Sequence, residues 1–396
     1  MSRIWAGTDC GKTQRHTLVV NAEGDTLLSR RVANDEPELL RLIADVLDLA
    51  DGRSVTTWAM DMTGGEPSLL INLLAAHGQE LVYIPGVAVN RAADSYHGQG
   101  KTDARVIADQ ARMRCDLLPI RLDGEAVIEL KLLTDRRMDL VAERTRVINR
   151  LRTPLNSMFP ALERALDFDN AWPLRLLSGY QTPAAIRRAG VKRLTTWLRN
   201  RKVRSAQALA EKVVEAAERQ YTAVAGEKAI ARIVHTLTEE VMTFNEKIAE
   251  TDTLIAGRFR EHELAEVITS MPGIGPTLGA EFLAAVGGGL DAFPTADRLA
   301  AFADVTPAQK HSGKVSGNLH QPTRYHRRLQ RAFYTSALIS IQCDPNSRAF
   351  YNRKCAEGKR HVQAVLALAR RRVNVLWALI RDRRCYQVIP PVTVAA

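Results

Sequence analysis

Cysteine is scarce and unpatterned. Cys10, Cys115, Cys343, Cys355 and Cys385 are odd in number, widely spread and free of any Cys-x-x-Cys pair, which argues against a disulfide framework and a thiolate zinc site. All five read as free thiols. Long apolar runs are missing as well: none reaches the roughly 18 residues that a membrane helix needs, and the first residues lack a charged segment followed by an apolar stretch. A cytoplasmic protein with no membrane partner is expected. No internal repeat or low-complexity tract is present. Acid is the scarcer charge, with 44 Asp and Glu against 55 Lys and Arg, for a net +11. That balance favours a polyanionic partner, because each neutralised phosphate releases counterions. A merely soluble, moderately basic protein has the same composition, so charge alone does not choose.

What is present suffices for more than one core: 396 residues, of which 46% are hydrophobic. Short β-branched or aromatic segments at 4–8, 16–21, 26–32, 55–60 and 81–84 are bounded by Gly, Asn, Asp or Pro, with a helical stretch near 37–49. NAEGD at 21–25 reads as a hairpin turn, so the first three strands should be antiparallel, while the helix before the fourth allows a parallel crossover. The order β-β-β-α-β-α-β is that of an RNase H-like fold, expected over 1–125. From about 126 the period becomes helical, with Leu130, Leu133, Leu140, Val147 and Leu151 on one face. Ile230, Val234, Leu237, Val241, Phe244, Ile248 and Ile255 then step by four and three, interrupted by Thr251, as a heptad stripe does. A helical coiled-coil and linker region is expected over 126–262, pairing within the chain or between chains. Residues 263–396 form a mostly α-helical third section: the Gly-rich MPGIGPTLG, the loop PAQKHSGKVSGNLHQP, then long basic helices.

Three places carry chemistry. Asp9 and Asp61 each lie just past an apolar strand, and Asp103 opens the helix TDARVIADQARM. Clustered carboxylates repel unless cations hold them, and oxygen ligands suit Mg²⁺ or Mn²⁺. Two such ions about 4 Å apart clamp the attacking and leaving oxygens of a phosphodiester. A single aspartate after a strand is more often a turn or cap residue; three at these positions favour the metal. In MPGIGPTLGAEFLAAVG, Gly273 and Gly275 precede a helix whose free N–H groups suit a phosphate, as in a helix-hairpin-helix clamp, although Gly-Ile-Gly also serves ordinary turns. In KHSGK, Ser312 stands among Lys310, His311 and Lys314, cations that would lower its pKa and hold phosphate charge, although most serines in basic loops only hydrogen-bond a phosphate.

Acid-free basic tracts accompany these sites. Residues 181–207 hold eight Lys or Arg, residues 310–331 hold six, among them Lys310, Lys314, Arg324, Arg327 and Arg328, and 370–372 is Arg-Arg-Arg. Single charge runs are usually solvated faces. Several together, beside Tyr325 and Trp197, point to nucleic acid held through its backbone.

The motifs GTDCGK, WAMDMTGGEPSLL, YIPG and GKTDARVIADQARMR, with SMPGIGPTLGAEFLAAVG, FPTADRLAAFADVTP, HSGK and SRAFYNRKCAEGKRHVQAVLALARRRVNVLWALIRD, resemble the transposases of insertion-sequence family 110. These are bridge-RNA-guided DEDD recombinases, and the match runs nearly end to end. The resemblance implies a RuvC-like N-terminal domain in which Asp9, Asp61 and Asp103 bind Mg²⁺, and a C-terminal transposase domain in which Ser312 attacks DNA to give a phosphoserine. It further implies donor and target DNA and a structured guide RNA as partners, and a dimer or tetramer with composite sites. Such a protein would be associated with the nucleoid. The sequence departs from the family pattern in three places. The family's Asp-x-x-Asp pair shares a helix face, whereas Val106 stands here in the second place. KTDARVIAD equals KTDARDARVIAD less one Asp-Ala-Arg unit, so Asp103 matches either family aspartate. Asp109 lies six residues along, about 120° round the helix from Asp103. DVTP at 304–307 and RYHRRL at 324–329 replace the family's Gly-Leu-x-Pro and Arg-Gly-Asn runs. An active recombinase, a non-catalytic nucleic-acid-binding relic and a RuvC-like junction endonuclease with a structural Ser312 all remain open at this point.

Overall fold

A computed structural model describes residues 3–50, 55–62, 67–94, 96, 102–115, 117–120, 124–168, 170–306, 308–309, 319–320 and 325–387. The chain divides into two compact units, Met1–Leu122 and Asp123–Ala396.

The first unit is built on a mixed sheet. Strands β1 (Arg3–Cys10), β2 (Gln14–Val20) and β3 (Thr26–Ala33) are followed by α1 (Glu36–Ala50), β4 (Val55–Met60), α2 (Ser68–Ala76), β5 (Glu80–Tyr83), α3 (Gly86–Ala93), α4 (Asp103–Met113) and β6 (Leu118–Pro119). The sheet order is β3-β2-β1-β4-β5-β6. The first three strands are antiparallel, as the NAEGD turn requires: Asp25 N–H donates to Asn21 Oδ1, and Gly24 takes a φ of +93°. A helix between β3 and β4 lets β4 lie parallel to β1, and β5 lies parallel to β4.

Both faces of the sheet are covered. Ile4, Val19, Val32, Trp58 and Met60 meet Leu39, Leu42, Ile43, Leu70 and Leu74 of α1 and α2. Ala59, Val82 and Ile84 meet Val89 of α3 and Val106, Ile107 and Ala111 of α4. Side chains alternate along a strand, so Gly7, Asp9 and Asp61 share the face of Ala59, on which α3 and α4 pack. Helix α4 comes so near β1 that a Cβ on Gly7 would lie 2.3 Å from Ala108 N and 2.4 Å from Ala104 O. Only glycine admits that approach.

The second unit is mostly helical. Its elements are α5 (Glu125–Met158), α6 (Pro160–Ala165), α7 (Trp172–Leu177), α8 (Pro183–Asn200), α9 (Ala206–Glu218), α10 (Glu227–Arg260), α11 (Ala265–Ser270), α12 (Pro276–Val286), α13 (Ala296–Phe302), the short pair β7 (Ala308–Gln309) and β8 (Leu319–His320), α14 (Arg327–Cys343), α15 (Pro345–Ala356) and α16 (His361–Arg381). The heptad stripe of α10 pairs within the chain, against α5. Arg137 meets Asp252 at 2.5 Å, Arg144 Nε donates to Asn245 Oδ1 at 2.5 Å, and Arg150 lies 3.9 Å from Glu240, so the two helices run antiparallel. Val234, Val241, Ile255 and Phe259 are buried. Thr251 interrupts the stripe at little cost, because its hydroxyl donates to Lys247 O at 2.7 Å, as the buried Thr238 beside the stripe does to Val234 O at 2.7 Å.

This helix pair serves two cores. One half holds Val147, Leu151, Leu155, Val234 and Val241 against α6 to α9. The other holds Leu130, Ile255 and Phe259 against α11 to α16.

Candidate active site

Strand register brings the first two acids together. Thr8 of β1 pairs with Met60 of β4, so Asp9 and Asp61 occupy the next position on neighbouring parallel strands, on one face and at one sheet end. Asp9 lies within β1 rather than just past it, because β2 keeps pairing with β1 through Asp9↔His16 and Cys10↔Arg15. Asp61 follows β4 directly. Thr102 caps α4, its hydroxyl accepting from Arg105 N at 3.3 Å, which makes Asp103 the first helical residue. Because α4 is seated on Gly7, two residues before Asp9 on the same face, its first turn is held at the same sheet end.

The three carboxylates sense one another. Burial raises the pKa of Asp9 above the ordinary carboxylate range and the charge of Asp103 raises it further, against His16, Arg31 and Arg15. Burial also raises Asp61, with a backbone hydrogen bond opposing and the charges of Asp9 and Asp103 adding. Asp61 Oδ1 is buried with no hydrogen-bond partner. Among the described residues, no group of three or more His, Cys, Asp or Glu is already gathered to hold a metal ion. The all-oxygen donor set, its mutual repulsion and the orphaned Asp61 oxygen fit Mg²⁺ or Mn²⁺.

Asp109 is engaged elsewhere. It is buried and accepts from Arg105 Nε at 2.9 Å and Tyr96 Oη at 3.1 Å, with Arg112 Nε at 3.6 Å. Burial and the Asp109 charge push the Tyr96 phenol up to about 12. Val106 is fully buried in the α4 packing face.

The glycine and basic candidates lie in the second unit. Gly273 has φ +81°, and a Cβ there would lie 2.6 Å from Ser336 O and 3.0 Å from Ser340 N, so its bareness serves packing against α14. Gly275 precedes α12 and faces open space. Thr277, in the first turn of α12, faces Asp252 at 3.5 Å, so an acid already stands at that helix start. Arg327 is exposed, whereas Arg328 is ion-paired with Asp135 of α5. Lys310, Ser312, Lys314 and Arg324 lie outside the described residues.

Sequence reasoning passed over two contributors. His16 faces Asp9 across the β1–β2 hairpin, and counting outward from the turn at 11–13 would have found it. Gly86 sits where a Cβ would come within 3.8 Å of Asp61 Oδ2, a proximity with no local sequence signal.

An α/β unit with acids drawn to one sheet end, followed by a mostly helical basic body, is the arrangement in hand. Residues 6–160 match the DEDD transposase of IS110, and residues 265–352 match the transposase family of IS116, IS110 and IS902. The chain is 53% identical to a 42 kDa protein of insertion element IS900 from Mycobacterium paratuberculosis, over 99% of both chains. It is 49% identical to a 44.8 kDa protein of IS116 from Streptomyces clavuligerus, over 100% of this chain and 98% of the other. It is 36% identical to a 43.6 kDa protein of IS110 from Streptomyces coelicolor, over 99% and 97%. The chain belongs to the IS110 family of transposases. No helix among the described residues is long and apolar enough to cross a membrane.

Proposed function

We propose that this transposase cuts and rejoins DNA with a divalent-metal carboxylate site in an RNase H-like, RuvC-like first unit, and with Ser312 as nucleophile. The observation that carries this reading is the convergence of Asp9, Asp61 and Asp103 on one sheet end, with burial and mutual charge raising the carboxyls of Asp9 and Asp61. The strand order β3-β2-β1-β4-β5 supports the RNase H-like assignment. Asp9, Asp61 and Asp103 would hold Mg²⁺ or Mn²⁺, which supplies Lewis-acid stabilisation of charge on the transferring phosphate. His16, in register with Asp9, has its ring against Ser29 Oγ at 3.0 Å, and its charge works to lower the Asp9 carboxyl. The basic tracts would hold DNA and a structured bridge RNA through their backbones. Sequence choice would then come from base pairing.

Recombination of a plasmid carrying the cognate element, with its RNA, tests this. Asp9→Asn, Asp61→Asn, Asp103→Asn and Ser312→Ala should each abolish product, and the wild type should trap a phosphoserine adduct. Activity unchanged in Ser312→Ala would remove the serine mechanism and leave a junction endonuclease.

One observation favours a second reading, a catalytically impaired relic. Val106, where the family's Asp-x-x-Asp places its second acid, is core here. Reinserting Asp-Ala-Arg after Arg105 tests it, and activity present only in that variant would support the relic.

A further inference from the structure

Two consecutive arginines of β3 meet opposite fates. Side chains alternate along a strand, so Leu28, Arg30 and Val32 point to the face that α1 covers, and Ser29 and Arg31 to the face of Asp9. Arg30 is ion-paired with Asp45 of α1 and lies 3.9 Å from Glu38 of the same helix. Arg31 is exposed, and among the described residues no hydrogen bond or ion pair holds its guanidinium.

Register sets Arg31 in the row of the first acid. Asp9 pairs with His16, and His16 with Arg31, so the three stand side by side across β1, β2 and β3 on one sheet face. Two strand spacings, about 10 Å, separate the first from the last. The charge of Arg31 reaches both of the others, lowering the pKa of Asp9 and of His16. Neither β2 nor β3 contains an acid that could neutralise it. Helix α4 packs on β1, β2 and β4, which leaves Ser29 and Arg31 of β3 exposed. A guanidinium without a counter-charge, beside a carboxylate site and on the same face, suits a phosphate, because its planar fork donates to two oxygens at once.

We propose that Arg31 grips a backbone phosphate of the DNA strand held at the acid site, one that flanks the phosphate being cut. The strand then runs from Asp9 towards β3, over His16 and Ser29. The inference rests on the reading of Asp9, Asp61 and Asp103 as the cutting site, and it adds to that site a substrate-binding residue and a path for the strand.

The full chain with its RNA would be titrated in chelator with a labelled DNA duplex carrying the terminal junction of the element. The duplex is either unmodified or holds one methylphosphonate, a neutral phosphate replacement, stepped across the junction. The parent should bind about tenfold more weakly when the gripped phosphate is neutral, the scale of one hydrogen bond to a charged group. Arg31→Gln should lose a similar factor on unmodified duplex and nothing further at that position. Its slope of log affinity against log salt should be lower by about one. Arg41→Gln removes an exposed charge from α1, on the other sheet face, and should match the parent in affinity and slope. No sensitive position in the parent, sensitivity that Arg31→Gln retains at every position, or an Arg31→Gln affinity equal to the parent's would overturn the inference alone. Recombination product from Asp9→Asn would overturn the cutting-site reading, and the inference with it. Should Arg31→Gln melt below the parent, Arg31→Thr, which suits a strand, carries the same expectations.

Discussion

In the first unit, Asp61 keeps a buried oxygen without a partner while two further acids raise its cost. In the second, Arg372 is more deeply buried, and although burial brings its guanidinium down to about 10, it is hydrogen-bonded to Ser336 and Pro272. The sheet end thus keeps a buried oxygen unpaired, a penalty that hydrogen bonds partly relieve at Arg372. An unrelieved penalty at a strand end marks a place where something else binds, whereas a relieved one marks architecture.

The contrast extends to close approach, where the largest effect is expected. Gly7→Ala drives a Cβ into the α4 backbone and should destabilise the first unit by about 3 kcal/mol. Gly257→Ala, in α10 with open space around it, should stabilise the second by roughly 0.5–1 kcal/mol. Urea titrations read both, and equal effects would remove the distinction. Arg372→Met strands the buried Ser336 hydroxyl and the half-buried Pro272 carbonyl and should lower stability by about 2–3 kcal/mol in the same titration; an unchanged midpoint would show that the guanidinium is dispensable.

Smaller effects sharpen the electrostatic side. Asp9 is raised in the fold, so the folded carboxyl holds its proton to higher pH than the unfolded one, and its charge opposes folding once pH rises above the ordinary carboxylate range. Asp9→Asn should therefore raise the melting temperature at neutral pH in chelator, with the gain shrinking as pH falls into that range. A gain that excess Mg²⁺ fails to offset would argue against the metal site. His326 behaves in the opposite sense. Burial lowers its pKa, and its Nδ1 accepts Leu329 N–H at 3.2 Å to cap α14. The unfolded imidazole takes its proton first as pH falls below about 6.5, so stability is lost through that window. His326→Asn should flatten the acid side of the melting profile, and a profile of unchanged slope would place the loss elsewhere, His262 being the next group lowered by burial.

Much of the first unit was legible because it is local. The NAEGD turn implied antiparallel strands, the apolar helix before the fourth strand implied a parallel one, and Thr102 marked where α4 begins. The heptad of α10 announced a partner helix by its spacing, but not that α5 of the same chain supplies it. Gly273 looked like a phosphate contact by composition; its close seat against Ser336 and Ser340 depends on a helix more than sixty residues away. Arg328 looked free until Asp135 lay opposite.

The sequence by itself determined the family, through motifs spread over nearly the whole chain, and it marked the three aspartates, because strand ends and helix starts are written in short-range patterns. Only tertiary structure decided that Asp9 and Asp61 share register and face, and that Asp109 belongs to Arg105 and Tyr96. The register of Asp9 and Asp61 joins strands far apart in the chain and leaves no trace in local spacing, whereas Arg105 and Asp109 stand one helical turn apart and only their burial beside Tyr96 decides that they pair.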